Sequence, residues 1–289
     1  MEKEFKSLVS VVIPTFNRAN TIISCLDSVL NQTYENIEVI IVDDCSTDNT
    51  REVLKSINDS RVICYFLDEN HRACYARNYG AERANGEFIA FQDSDDLWHK
   101  DKIEKQVRHI IETNCDFVFC GMNRYNSDKT KSFYFPQEKL SEKTNYYIQE
   151  LKTNVISTQT ILMRSKCFES VKFDVDFRKY QDWDFAIRAA QGFKISYLPE
   201  PLVDSFIQEN SISLVVNHYE ALCNIYKKYK KVIVAHPDIN ALHLARMGDC
   251  FRKSDPQEAK RYYKESLHNA IRFKVIIKYC FSTMGIKRF

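Results

Sequence analysis

The sequence has little glycine and no glycine-rich phosphate-binding loop. Only 6 of its 289 residues are glycine, and the chain contains neither G-x-G-x-x-G after its first apolar run nor G-x-x-x-x-G-K-S/T at any position. Those loops bring backbone N–H groups close to phosphates in dinucleotide-binding and P-loop proteins. Their absence argues against both kinds of site. It also argues against a nucleotidyltransferase, which would need a glycine-rich, lysine-bearing loop after the first strand.

Long apolar runs and paired cysteines are also missing. No apolar run reaches the roughly 18 residues that a membrane-spanning helix needs, and residues 1–7 are too polar for a signal peptide. The ten cysteines form no C-x-x-C pair and no Cys/His cluster at zinc spacing. We therefore expect a cytoplasmic protein with reduced thiols, in which Cys25, Cys64 and Cys120 are buried as small apolar residues.

The chain carries no large excess of charge of either sign. Its formal net charge is only +2, so nucleic acid is not an expected partner. Residues 214–289 nevertheless hold 15 Lys and Arg against 6 Asp and Glu, and subtraction from the totals of 41 and 39 leaves 26 against 33 for the rest. The sequence thus predicts an acidic body and a basic C-terminal region. A hydrophobic content of 44% excludes a disordered chain.

Apolar runs alternate with helical patterns over the first 125 residues. The runs have strand length and predict strands at 8–14, 37–43, 61–67, 87–93 and 116–120, with amphipathic helices between them. This alternation predicts an α/β fold with βαβ units and a mostly parallel sheet flanked by helices. Beyond these elements we expect a loop or insertion at 126–141, a strand at 155–163, a helix at 180–191, a strand at 193–199 and helices from 213 onward.

Polar and acidic residues follow the predicted strands where each strand ends. Ligands of an open parallel sheet bind beyond the carboxyl ends of its strands. The residues found there are Pro14 and Phe16, then Asp43 and Asp44, then the segment 93–96, which contains Asp93, Asp95 and Asp96. Three carboxylates within four residues repel one another unless a cation lies between them. A hard divalent ion that also bridges a diphosphate would be such a cation.

Purely structural explanations exist for some of these acids. Asp44 can make an Asx turn at the end of its strand. Asp96 can favour a helix N-terminus, and Asp182 opens an amphipathic helix where acidic residues are favoured in any case. Asp182 and Asp184 are two residues apart on that helix, so at most one of them faces a given site. The residues by themselves leave these alternatives open.

Five segments occur along the chain in a recognisable order. They are Val9–Arg18, Val42–Asp48, Ala76–Gly80, Gly86–Asp96 and Gln181–Phe185. In these segments, over about residues 7–213, the chain resembles the family 2 glycosyltransferases, which are inverting enzymes with the GT-A fold. The resemblance implies transfer of a sugar from a nucleotide diphosphate donor to an acceptor hydroxyl. Bacterial enzymes of this type mostly build cell-surface polysaccharide or glycolipid, which is carried over as an analogy.

The resemblance also implies roles in donor binding. Pro14 and Phe16 would flank the nucleotide base. Asp44 would accept a hydrogen bond from the base, as the matching acid does in the family when the base is uracil. Arg77 would lie near the base or the donor. The implied donor is therefore a UDP-sugar, with a hexose or N-acetylhexosamine as the sugar.

The acidic residues receive the remaining roles. Asp93 and Asp95 match the D-x-D motif, so Asp95 would ligate Mn²⁺ or Mg²⁺ and Asp93 would lie nearer the ribose and the water shell of the metal. Asp182 matches the acid of the E-D signature, which is the general base. The implied acceptor is a saccharide or a lipid-linked saccharide. A non-catalytic nucleotide-sugar-binding module is the alternative from a different class.

The resemblance predicts the domains and reveals two departures. We expect a GT-A domain over 1–212, with a nucleotide-binding part at about 7–125 and an acceptor part at about 126–212, and a helical region over 213–289. Arg72 stands where the family usually has glycine. Phe206-Ile207-Gln208 precedes Ser211-Ile212-Ser213 where many members have an Arg-x-His pair before S-x-S. Arg72 or the basic region would then supply the missing positive charge.

The last segment carries an apolar stripe at helical spacing with basic residues beside it. The stripe comprises Phe273, Ile276, Ile277, Cys280, Phe281 and Met284, and no acidic residue follows Glu265. This pattern is typical of a helix that lies in a membrane interface. It predicts peripheral contact of residues 271–289 with the inner face of the membrane. Packing of the stripe on the preceding helices, or on a second copy in a homo-oligomer, is the alternative.

Overall fold

The computed structural model describes residues 6–126, 130, 132–207 and 217–284. The chain divides into two compact units. The first comprises Met1–Glu150, Asn154–Asp176 and Gln181–Glu209, and the second comprises Leu151–Thr153, Phe177–Tyr180 and Asn210–Phe289. Among the helices of the described residues, none has both the length and the apolar character needed to cross a bilayer.

The N-terminal half of the first unit is a parallel sheet, as the alternation predicts. Its four strands are β1 (Val9–Thr15), β2 (Ile37–Asp43), β3 (Val62–Phe66) and β4 (Phe88–Phe91). They lie in the order β3-β2-β1-β4 and every pairing among them is parallel. The connecting helices are α1 (Ile22–Leu30), α2 (Thr50–Lys55) and α3 (Arg72–Ala81). The carboxyl ends of these strands therefore meet at one edge of the sheet.

The sheet continues with strands that are largely antiparallel. These are β5 (Leu97–Trp98), β6 (Phe117–Tyr125), β7 (Ser132–Phe135), β8 (Ile161–Arg164) and β9 (Ile195–Phe206). The order runs on as β4-β8-β6-β9-β5, with β7 paired to β6, and in this half only the β6–β9 pairing of the described residues is parallel. The remaining helices of the first unit include α4 (Lys102–Thr113), α5 (Tyr146–Lys152, which runs into the second unit), α6 (Ser165–Ser170) and α7 (Gln181–Gly192).

Several sequence predictions differ from this half of the sheet. The strands predicted at 116–120 and 193–199 are longer than expected and run on to Tyr125 and Phe206. The stretch 126–141 was predicted as a loop or insertion, but Ser132–Phe135 forms β7 against β6. That strand is only four residues long and three of its side chains are exposed, so the short aromatic segment does not stand out from the polar residues around it. The strand predicted at 155–163 begins only at Ile161, because Thr158–Thr160 form a 3-10 turn.

Both faces of the sheet are covered. Val11 and Ile13 of β1 belong to a buried cluster with side chains of α1 and α4, whereas Val12 belongs to a cluster on the other face with Phe185 of α7. Strands buried on both faces appear in sequence as continuous apolar runs. A Cβ atom on Gly80 would lie 2.6 Å from Val12 Cγ1, so glycine at this position lets α3 pack directly on the sheet.

None of the ten cysteines, all of which the structure describes, forms a disulfide bond. All ten are free, as predicted. Cys25 and Cys120 are fully buried, which confirms their interpretation as small apolar residues. Cys64 is only partly buried, because it lies on β3, whose side chains remain partly exposed along the strand.

The described part of the second unit is helical. Its helices are α8 (His218–Val234), α9 (Pro237–Phe251), α10 (Pro256–Asn269) and α11 (Phe273–Thr283). The Asn217 and Asp255 side chains accept backbone hydrogen bonds at the start of α8 and α10, as helix N-caps do. A Cβ atom on Gly248 would lie 2.7 Å from the Tyr263 ring, so this glycine permits the close approach of α9 and α10.

The apolar stripe of the last helix is mostly exposed. Val275 is buried on the preceding helices, but Phe273 is 77% exposed, and Ile276, Ile277, Cys280 and Met284 are exposed as well. Packing on the preceding helices therefore covers only part of the stripe, since Ile276 and Ile277 are 37% and 38% exposed and Phe281 is partly buried. Contact with a membrane or with a second copy stays a prediction.

A lysine is buried in the first unit. The Lys102 ammonium donates to Gln106 Oε1 at 2.6 Å and lies 3.8 Å from the centroid of the Trp98 ring. The side chain is fully buried. Burial disfavours the charged form and lowers the pKa of Lys102 to about 8. Below that pH the native state must hold a charge away from water.

We expect Lys102→Met to stabilise the protein in a pH-dependent way. Because the native pKa is lower than the unfolded one, the wild type gains stability as pH rises from about 8 to about 10.5, by roughly 3 kcal/mol. The advantage of the Met variant should thus be largest below pH 8 and shrink toward pH 10.5. Urea unfolding at pH 7 and pH 10 measures it, with exposed Lys100→Met as the control. An equal difference between variant and wild type at both values would contradict a depressed pKa.

Candidate active site

The turns after β1 and β2 are joined to each other. Asn17 has a positive φ of 53°, its N–H donates to Ser46 Oγ at 2.9 Å, and its Oδ1 accepts from the N–H of Thr47 at 2.8 Å. Pro14 is buried and lies beyond the last β1–β4 register pair, where a strand tolerates a residue without N–H. Phe16, in the first of these joined turns, is exposed, so an aromatic ring lies open to solvent at the carboxyl ends of the strands.

Asp44 is held by backbone N–H groups from a distant part of the chain. Its Oδ1 accepts from His71 at 2.8 Å and its Oδ2 accepts from Arg72 at 2.6 Å. Burial raises the pKa of Asp44, although these two hydrogen bonds oppose the rise. The Asx-turn explanation does not fit Asp44. Asp43 instead uses its Oδ2 to accept from the N–H of Ser46, three residues on, at 3.2 Å and from Arg51 Nε at 2.7 Å.

Arg72 adopts the backbone conformation that favours glycine. Its φ is 72° at the start of α3, and a side chain in this region costs about 1–2 kcal/mol. This geometry explains why glycine suits the position. The Arg72 side chain is exposed, while its backbone N–H donates to Asp44.

Arg77 joins two of the predicted site residues. Its Nη2 donates to Asp93 Oδ1 at 2.6 Å, its Nη1 donates to Gln181 Oε1 at 2.9 Å, and its guanidinium lies 5.4 Å from the centroid of the Phe173 ring. Arg77 is buried, and its Nε has no hydrogen-bond partner among the residues that the structure describes. The guanidinium therefore links the D-x-D loop to the start of α7, where Asp182 is the next residue.

The three acids of the loop after β4 have different partners. Asp95 Oδ2 lies 3.4 Å from Arg18 Nη2. Asp96 is buried; its Oδ1 accepts from the N–H of Phe206 at 3.0 Å and its Oδ2 accepts from Gln159 at 2.9 Å. Burial and repulsion by the neighbouring acids raise the pKa values of both Asp95 and Asp96. Asp96 thus fixes the loop to the end of β9.

The helix explanation for Asp96 is wrong. The following helix, α4, begins at Lys102 and has Asp101 as its N-cap residue, so Asp96 lies well before the helix. The partner of Asp95 is one that the sequence analysis missed. Arg18 ends the first of the five segments, but only the positive φ of Asn17 and the adjoining turn direct its side chain toward Asp95.

The two acids at the start of α7 face different surroundings. Asp184 is fully buried and pairs with Arg188, the nearest atoms being 2.7 Å apart. Asp182 is partly exposed and accepts from the N–H of Trp183 at 2.8 Å. Burial raises the pKa of Asp182, while hydrogen bonds from Asn154 and Trp183 and the charges of Arg77 and Arg124 oppose the rise. Asp182 is therefore the acid of this pair that can meet a ligand.

The donor atoms of the D-x-D loop suit a divalent ion that is shared with a substrate. Asp93 and Asp95 offer hard oxygen atoms on partly exposed side chains. No group of three or more His, Cys, Asp or Glu side chains that could hold a metal ion occurs in the described part of the chain. Mg²⁺ is commonly bound by one or two carboxylates together with substrate phosphates. The residues present fit that mode of binding.

The departure from the Arg-x-His pattern lies partly outside the described residues. Phe206 and Ile207 belong to the described residues; Phe206 stacks on Tyr125 with ring centroids 5.3 Å apart. Gln208 and Ser211-Ile212-Ser213, the positions that follow in the departure from the Arg-x-His pattern, lie outside the described residues.

Comparison with known structures defines the class of protein. S. aureus TarS 1–349, solved in complex with UDP-GlcNAc, is 20% identical and covers 96% of this chain and 88% of its own, with a TM-score of 0.66. This similarity shows the fold. The fold is thus of the GT-A type, and its parallel half carries acids after β2 and β4.

Sequence comparison then gives the family. The model of Glycosyl transferase family 2 matches residues 10–175. TuaG of Bacillus subtilis (strain 168), named for teichuronic acid biosynthesis, is 34% identical over 270 residues, which are 91% of this chain and 99% of TuaG. The E. coli UDP-Glc:alpha-D-GlcNAc-diphosphoundecaprenol beta-1,3-glucosyltransferase WfaP is 32% identical over 262 residues, or 87% and 99% of the two chains. The chain belongs to Glycosyl transferase family 2 and is a glycosyltransferase.

We expect Arg72→Gly to be more stable than Arg72→Ala by about 1 kcal/mol. Both variants lose the side chain, but only alanine keeps a Cβ at a φ of 72°. Both also retain the N–H that Asp44 accepts. Thermal unfolding of the two variants side by side measures the difference, and their UDP affinities relative to wild type measure what the side chain adds. A glycine variant that melts below the alanine variant would rule out backbone strain at this position.

Proposed function

We propose that this glycosyltransferase moves a hexosyl or N-acetylhexosaminyl unit from a UDP-sugar to an acceptor hydroxyl with inversion at C1, using a divalent ion. The observation that carries the proposal is the Arg77 guanidinium, which binds Asp93 on one side and Gln181 on the other. It connects the loop that would hold the metal and diphosphate to the helix that carries the proposed base, Asp182.

The donor would bind at the joined turns after β1 and β2. The exposed Phe16 ring offers a surface for stacking on a base. Pro14 comes two residues earlier and is buried near the end of β1. Each oxygen of Asp44 already accepts one backbone hydrogen bond and retains a second lone pair for the base. Uridine as the base is supported by the UDP-Glc in the name of WfaP and by the UDP-GlcNAc in the TarS complex.

Asp95 would ligate Mn²⁺ or Mg²⁺ directly, and Asp93 would hold its water shell and the ribose. A bound divalent ion neutralises the charge that develops on the departing diphosphate. Asp93 is positioned for its part by Arg77, which fixes its Oδ1. Asp96 keeps the loop in place through Phe206 and Gln159.

Asp182 would be the general base. An acceptor hydroxyl is a poor nucleophile near neutral pH, and a positioned carboxylate that takes its proton contributes about 10²–10⁴-fold in rate. Burial raises the pKa of Asp182, which makes it a stronger base than an exposed carboxylate. The acceptor oxygen attacks C1 from the face opposite the diphosphate, so a single displacement inverts C1 and no covalent enzyme intermediate is needed.

We expect Asp95→Asn and Asp182→Asn to fail in different ways. The first should lose the metal-dependent part of both UDP binding and transfer. The second should keep UDP affinity in Mn²⁺ within about twofold and lose at least about 10² in turnover, because a base acts on the acceptor. Calorimetry with UDP and Mn²⁺ and an assay of UDP release measure the two properties.

Asp184→Asn is the control for this comparison. It breaks a buried pair with Arg188, so it should lower stability while the folded fraction keeps its turnover. Loss of turnover in the Asp184 variant but not in the Asp182 variant would overturn the assignment of the base. A wild type that binds UDP-sugars and never releases UDP would instead indicate the non-catalytic binding module.

We propose further that α11 brings the enzyme to an anionic membrane surface. Its exposed apolar side chains are accompanied by Arg272 and Lys274, and α11 itself carries no acidic residue. Apolar side chains beside cations are the features of a helix that lies in an interface, and each cation near an anionic leaflet adds about 1 kcal/mol. The diphosphoundecaprenol in the name of WfaP supports a lipid-linked acceptor.

The double variant Phe273→Glu with Ile277→Glu should lower the fraction of enzyme that sediments with phosphatidylglycerol vesicles by about tenfold. Val234→Glu, an exposed apolar position on α8, is the matched control and should sediment as the wild type does. The assay uses the full chain at low salt. Wild-type protein that stays in the supernatant and elutes as a dimer in size-exclusion chromatography would assign the stripe to a second copy.

A further inference from the structure

Arg18 occupies the position beside Asp95 where a metal ion would also bind. Its Nη2 lies 3.4 Å from Asp95 Oδ2, with the two side chains 25% and 16% exposed. The backbone of Arg18 is fixed, because its N–H donates to Thr50 Oγ1 at 2.8 Å. The other arm of the guanidinium, Nη1, donates to the carbonyls of Asn17 at 3.1 Å and Phe16 at 3.4 Å.

Arg18 differs from Arg77, the arginine of α3 that pairs with Asp93 in the same loop. The Arg77 side chain is only 8% exposed and is held between Asp93, Gln181 and the Phe173 ring. Arg18 is held by one carboxylate and two backbone carbonyls, and a quarter of its side chain is exposed. A long side chain with its backbone fixed can change its rotamer while the turn stays in place, so Arg18 is the arginine that is free to change partner.

We propose that Arg18 neutralises Asp95 until a divalent ion arrives and then turns to the diphosphate of the donor. This inference rests on the proposed function. A guanidinium within 4 Å of a carboxylate oxygen repels a divalent ion that approaches the same oxygen. Once the ion holds Asp95, the displaced guanidinium meets diphosphate oxygens, for which its planar array of donors is well matched. Arg18 thereby couples metal binding to donor binding.

The proposal predicts opposite changes in two affinities for Arg18→Gln. Without nucleotide the variant should bind Mn²⁺ about two- to fivefold more tightly, which is the range expected for removal of a partly exposed ion pair. With saturating UDP it should bind Mn²⁺ more weakly than the wild type, because the contact with the diphosphate is lost. Electron paramagnetic resonance of free Mn²⁺ measures both affinities without any turnover. Arg18→Lys keeps the positive charge and should show smaller changes in both.

Arg61→Gln is the matched control. Arg61 pairs with Asp59 at 2.9 Å just before β3 begins, at the amino-terminal ends of the parallel strands and so away from the site. It should change neither affinity. Equal shifts of the two affinities in one direction for Arg18→Gln, or no shift in either, would overturn the proposal. Wild-type protein that transfers sugar but binds no Mn²⁺, with or without UDP, would overturn it together with the metal assignment and leave glycosyl transfer standing.

Discussion

The structure of the site depends on how three carboxylates within four residues are kept together at the end of a buried strand. The negative charge of each acid is offset by different partners. Asp93 is paired with the buried Arg77, Asp95 lies beside Arg18, and Asp96 accepts hydrogen bonds from Phe206 and Gln159. These partners come from α3, from the turn after β1 and from the end of β9. The contacts that offset the charges of the loop therefore also fix the relative positions of those elements. The same negative charges that suit the loop to a cation thus also hold these neighbouring elements against it.

Backbone strain is concentrated in the same turns. Among the described residues, positive φ angles occur at five non-glycine positions, namely Asn17, Cys45, Arg72, Asn114 and Tyr180. Asn114 ends α4 in a left-handed conformation, which is an ordinary helix terminus. The other four lie in the turns that present site residues, where strained backbone is commonly found in enzymes. Several of these turns are held by hydrogen bonds to partners distant in sequence, such as those of Asn17 and of the N–H of Arg72.

Much of the fold and of the candidate site is predictable from local pattern. A strand buried on both faces must be an apolar run, which makes β1, β2 and β4 visible in the sequence. The partly exposed β3 is visible by its strand-forming residues instead. The carboxyl ends of these strands mark where ligands bind. β7 is not predictable in this way, because it is only four residues long, three of them exposed, and is stabilised by pairing with β6. The alternatives for Asp44 and Asp96 were likewise undecidable in sequence, since both are explained by backbone N–H groups far along the chain.

Local sequence pattern accounts for the α/β architecture of the first half, the order of the five segments and the types of residue at each strand end, since these depend on periodicity and on neighbouring residues. The pairing of each acid with its cation depends instead on how distant parts of the chain pack together. Asp184 is buried against Arg188 while Asp182 stays partly exposed, and Arg18 reaches Asp95 across 77 positions of sequence. Side-chain direction and burial follow from how α3, α7 and the turns pack around the sheet. Partners that are distant in sequence are chosen by that packing, which no local pattern encodes.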